Sequence, residues 1–66
     1  MRKNLKILRV SNNLSQIQMA ERLGCARSTY QDTESGRRDA RWEFWETLQK
    51  EFNLSGEEMI QMHKNE

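Results

Sequence analysis

Apolar positions along the chain recur three and four residues apart and never settle into strict alternation. Leu5 and Leu8, with Ile7 beside them, open the series over residues 2–11. Ile17, Met19, Ala20 and Leu23 continue it over 16–23, and Ala26, Tyr30 and Thr33 share one face of 26–35. Trp42, Phe44, Trp45, Leu48 and Phe52 occupy 41–52, and Met59, Ile60 and Met62 close the series over 56–63. Such spacing marks amphipathic helices. The pattern predicts five helices, an all-α chain with no strand between Gln16 and Leu54.

The polar residues between these stretches are start and stop signals. Ser15 with Gln18, and Ser55 with Glu58, have the spacing of capping boxes that open helices at 16 and 56. Asn12-Asn13, Gly24, Gly36 and Asn53 stand where a helix ends on a left-handed residue, which glycine and asparagine tolerate best. Asp39 is expected to N-cap the fourth helix, with Glu43 in its first turn. The tail from His63 is expected to fray.

The helix at 26–35 differs from the others. Opposite Ala26, Tyr30 and Thr33 it presents Arg27, Ser28, Gln31, Asp32 and Ser35, with no large apolar residue. It follows the 16–23 helix across one glycine, and small Ala20 leaves room for a close crossing. A helix with a polar reading face, braced by another across a tight turn, has the geometry of a helix-turn-helix.

Composition narrows the function. Sixty-six residues make a single domain, 1–66, with 35% hydrophobic content and a mean hydropathy of −1.05. A few helices around one core is the most such a chain can build. No apolar run exceeds two residues, so neither a membrane span nor a signal peptide is expected. One cysteine makes no internal disulfide and fits a reducing, cytoplasmic setting. A lone cysteine and a lone histidine give no zinc site, no glycine-rich phosphate loop is present, and no nucleophile sits beside a base. Neither enzymatic activity nor a cofactor nor a small-molecule ligand is expected. Charge is segregated. Through Arg41, nine basic residues face four acids, a net +5; from Trp42 onward two lysines face six glutamates, a net −4. One end suits a polyanion.

The order of residues resembles a known family. Q-I-Q-M-A-E-R-L-G before the turn, R-S-T-Y-Q-D-T-E-S-G-R-R after it and N-L-S-G-E-E-M near the end are similar to the lambda-repressor and Cro-like, or XRE-like, helix-turn-helix family. Gln16, Ala20 and Gly24, apolar Met19, Leu23, Cys25 and Tyr30, and the ending Glu34, Gly36, Arg37 keep the family's spacing. The resemblance implies a compact five-helix domain that binds double-stranded DNA as a homodimer on a two-fold operator in a bacterial or phage setting. It implies a phosphate contact for Gln16 and base contacts for Arg27, Ser28 and Asp32, flanked by Thr29 and Gln31. Arg37 and Arg38, with Arg41 beyond them, would supply phosphate attraction. An ion pair between Arg9 and Glu34 would tie the first helix to the third. Dimer contacts would fall on Met59, Met62 and one of Trp42 and Phe44. Two residues depart from the pattern. Thr33 replaces an aliphatic residue and needs a hydroxyl partner, and Ala26 stands where a Ser or Thr cap is usual. The second reading is a protein-interaction module on the same fold, such as an antitoxin or accessory subunit, favoured by Asp32 and the aromatic fourth helix.

Overall fold

The computed structural model describes residues 1–66. Helices α1 (Lys3–Ser11), α2 (Gln16–Leu23), α3 (Arg27–Ser35), α4 (Trp42–Phe52) and α5 (Gly56–His63) follow in order, with no strand. Each boundary falls within one residue of its expected place. None of these helices is long and apolar enough to cross a membrane.

Local chemistry explains the boundaries. The Ser15 hydroxyl accepts from the Gln18 amide at 3.1 Å, and Gln18 Oε1 accepts from the Ser15 amide at 2.9 Å. Ser55 and Glu58 repeat both bonds at the start of α5. The first four helices end on left-handed residues: Asn13 (φ 57°), Gly24 (69°), Gly36 (88°) and Asn53 (51°). The next amide then reaches back to close the last turn, as Leu14 does to Arg9 O, Cys25 to Ala20 O, Arg37 to Asp32 O and Leu54 to Gln49 O.

One cap is not as expected. Asp39 does not cap α4; Arg41 holds the N-cap position and makes no side-chain bond there. The Asp39 carboxylate instead accepts from Arg2 Nη2 at 3.0 Å. Asp39 stands two residues before the N-cap, out of register to cap α4, and a charge-assisted bond to a buried guanidinium engages its carboxylate.

The core is Leu5, Met19, Ala20, Leu23, Tyr30, Phe44, Trp45, Leu48 and Leu54. α2 packs on α3 and α4, while α1 lies against α3 and α5. Phe44 meets Trp45 edge-on, with ring centroids 4.9 Å apart. Of the two residues at the edges of the α4 apolar arc, Phe44 is buried and Trp42 is 68% exposed. Met59 and Met62 are half-buried against the core, and Ile60 is left 64% exposed.

The tail is also held. His63 is the last residue of α5, and its ring lies 3.9 Å from that of Trp45. Asn65 Nδ2 donates to Gly36 O at 3.1 Å, and the Glu66 amide donates to Met1 O at 3.0 Å. Fraying gives way to docking because an aromatic face and two open carbonyls lie within reach of the last residues.

Candidate nucleic-acid interface

The left-handed Gly24 turns the chain sharply, so only three residues separate α2 from α3 and the two helices pack on each other. Gly24 faces open space, so its backbone angle and not crowding calls for glycine. α3 has no side-chain cap at Ala26, as the sequence implied.

The inner face of α3 is fixed by hydrogen bonds. Tyr30, Thr33 and Glu34 are buried. The Thr33 hydroxyl donates to Thr29 O at 2.7 Å, which satisfies it in the way expected for a threonine at this position. Glu34 is the hub. Arg9 Nε donates to its Oε2 at 2.8 Å and Arg9 Nη2 to its Oε1 at 3.2 Å, so the expected pair is bidentate. The Tyr30 hydroxyl donates to Oε2 at 2.6 Å, and Gln16 Nε2 to Oε1 at 3.3 Å. Burial pushes the Glu34 carboxyl up, but the Arg9 and Tyr30 hydrogen bonds, Arg9's charge and the Gln16 bond outweigh it and hold it below its ordinary value. Burial, and next the neighbouring carboxylate, pushes the Tyr30 phenol far up. The hydrogen bond to Glu34 raises Arg9 despite its burial.

The outer face is different. Arg27 and Ser28 are exposed at the start of α3, and Asp32 is half-buried one turn on. None of these three side chains has a partner within the protein, whereas Thr29 and Gln31 do. The Thr29 hydroxyl accepts from Arg38 Nη1 at 3.1 Å, and Gln31 Nε2 donates to Gln16 Oε1 at 3.0 Å. Gln16 thus sits between Glu34 and Gln31 at the N-terminus of α2.

The basic half of the sequence divides in space. Arg2 and Arg9 turn inward, Arg22 pairs with Glu51 at 3.3 Å and Lys3 with Glu66 at 3.5 Å. Arg27, Arg37, Arg38 and Arg41 remain exposed and make no ion pair; they lie at the start of α3 and in the loop that follows it. An open groove of about 670 Å³ lies between the α2–α3 turn and that loop, with Cys25, Phe44, Arg38 and Arg41 among its lining. Sequence places Arg2 among the basic residues of the N-terminal half, yet its side chain is only 6% exposed. No local pattern could reveal this, because its side-chain partners lie 31 to 37 residues away.

No curated protein and no solved structure matches the chain. A family model described as a helix-turn-helix domain matches residues 2–60, which takes in α1 to α4 and most of α5. With the two helices joined through the turn at Gly24 and the inner face of the second locked to the core, the chain belongs to the helix-turn-helix domain family.

Proposed function

We propose that this protein is a sequence-specific DNA-binding regulator that reads the major groove with α3. The observation that carries the reading is the division of that helix. Its inner face is held by Tyr30, Thr33 and Glu34, while the Arg27, Ser28 and Asp32 side chains have no partner, near three further arginines, Arg37, Arg38 and Arg41, that make no ion pair. Arg27 can grip a guanine edge with two hydrogen bonds, Ser28 can donate or accept, and Asp32 can accept from a cytosine amino group. Gln16, oriented by Glu34 and Gln31, offers its amide to a backbone phosphate, and the amides of the first turn of α2 add to the attraction. Thr29 and Gln31 flank the reading positions. Arg37, Arg38 and Arg41 attract phosphates without regard to sequence.

One recognition helix spans few base pairs, so useful specificity calls for two copies on a two-fold site. Exposed Ile60 on α5 and Trp42 on α4 are the dimer contacts we assign. Exposed Trp42 also favours the second reading, a protein partner on the same fold.

Selection from a randomised duplex pool, followed by sequencing of the bound fraction, tests the proposal. A two-fold motif with one guanine position lost in the Arg27→Ala variant is the expected result. Failure to bind any duplex at low salt would leave the protein-partner reading in its place.

A further inference from the structure

Given DNA binding by α3, we infer that Arg2 is the positioning residue of the DNA surface: its buried guanidinium ties the last turn of α3 to the loop carrying Arg37 and Arg38. This rests on the reading proposed above. Arg2 lies on the opposite side of α3 from the reading face and takes no part in contacting DNA.

The geometry is a three-way junction. Arg2 Nη1 donates to Thr33 O, in the last turn of α3, and to Arg38 O, in the loop, each at 2.8 Å. Nη2 donates to Asp39 Oδ1 at 3.0 Å. The Arg2 amide donates to Glu34 O at 2.8 Å, and the Trp45 ring centroid lies 5.5 Å from the guanidinium carbon. Nε is buried without a partner, so every compensating bond comes from the two Nη atoms.

A buried cation is costly unless its acceptors stay in place. Here one comes from the helix end, where carbonyls carry partial negative charge, and two from the loop. The cation is satisfied only when helix and loop hold one relative position. A lysine could not reproduce this, since its point charge lacks the planar fork. Besides Arg2, the loop is pinned by the Arg37 and Arg38 amides, which both donate to Asp32 O, by the Arg38–Thr29 bond, and at its two ends by Asn65 to Gly36 O and Trp45 to Ala40 O. Arg2 also sets a positive charge against Asp39, the one acid in the basic segment from Arg37 to Arg41. A loop held this way has less freedom to lose when its arginines meet phosphates.

The test uses Arg2→Lys and Arg2→Met in the full chain, with amide exchange by NMR and DNA titrations across salt. In both variants the Arg37 and Arg38 amides should exchange about tenfold faster while α2 amides keep their protection, the mark of local opening. Binding should weaken on cognate and scrambled DNA alike, and the slope of log K against log salt should fall by about one. Adding Arg38→Ala should then lower the slope no further, since coupled changes do not add. Unchanged loop amides, exchange that rises equally in all helices, or slopes that add would overturn the inference. Should Arg2→Met fail to fold, Arg2→Lys carries the same measurements. If the unmodified protein binds no DNA, the proposed function fails. That result is distinct from a failed clamp, in which the unmodified protein and the variants bind with one salt slope.

Discussion

Replacing Arg9 with Met should destabilise the protein by about 3 kcal/mol. Glu34 is 3% exposed and Arg9 12%, so the pair is sheltered from solvent. Removing one member of a buried pair costs about 3–5 kcal/mol, because the other is left charged and dry. The lower end applies here. Glu34 keeps the Tyr30 hydroxyl and the Gln16 amide, and only the bond from Arg9 Nη1 to Leu14 O is lost besides. In a domain of this size each kcal/mol moves the melting temperature by roughly 4–8 °C, so a fall of about 12–24 °C is expected. Urea and thermal denaturation followed by circular dichroism measure both quantities. The pH dependence gives a second, sharper signature. The Glu34 carboxyl is held below its ordinary value, so its contribution is complete above the free glutamate pKa of about 4.3 and is lost as pH falls through the lower folded value. Without Arg9, burial dominates and the carboxyl moves up. The variant then gains from protonation as pH falls, and its deficit relative to the unmodified protein should shrink toward pH 4. Adding Glu34→Gln should recover part of the loss, since a neutral amide oxygen still accepts from Tyr30. A loss under about 1 kcal/mol that stays constant with pH would show a solvent-screened contact instead and refute the reasoning.

Ala26→Ser should stabilise by about 1 kcal/mol in the same denaturation assay, because the backbone there is already extended (φ −68°, ψ 148°) and α3 has no side-chain cap; no gain would mean its first amides are otherwise satisfied. Gly24→Ala should cost about 1–2 kcal/mol from the left-handed backbone alone, with open space around the new methyl. Gly36→Ala should cost more, since its Cβ would meet the Asn65 side chain, and Asn65→Ala in the same chain should return the difference. In DNA titrations, Arg27→Ala should cost about 1–3 kcal/mol on the cognate site and relax one base position. Arg37→Ala should weaken all sequences equally and lower the salt slope by about one. The reverse pattern would mean that α3 enters the groove in another orientation.

Helix order and boundaries were legible because they rest on neighbours in sequence. A capping box spans three residues, and a left-handed stop depends on the residue that occupies it, so Ser15, Ser55, Gly24, Gly36 and Asn53 act as the local pattern implies. The Arg9–Glu34 pair was legible for another reason. It follows from resemblance to a family and not from any local rule, and the bidentate geometry agrees with it.

What only the tertiary structure decided concerns the fate of charges and of apolar side chains at the edge of a helix face. Sequence counts Arg2 and Arg27 as equal cations, yet one is buried and the other exposed. Their difference lies in carbonyls and carboxylates that reach them from α3 and the loop beyond it. Asp39 reads as a cap until Arg2 arrives to claim it. Trp42 and Phe44 sit at equivalent edges of one helical arc, and packing against Tyr30 and Trp45 selects Phe44. Met59 and Met62 turn to the core and Ile60 to solvent because α5 docks on α1. Local sequence fixes backbone geometry through steric preference and short hydrogen bonds. The partners of a long side chain depend on which distant segments the fold brings within a few ångströms of it.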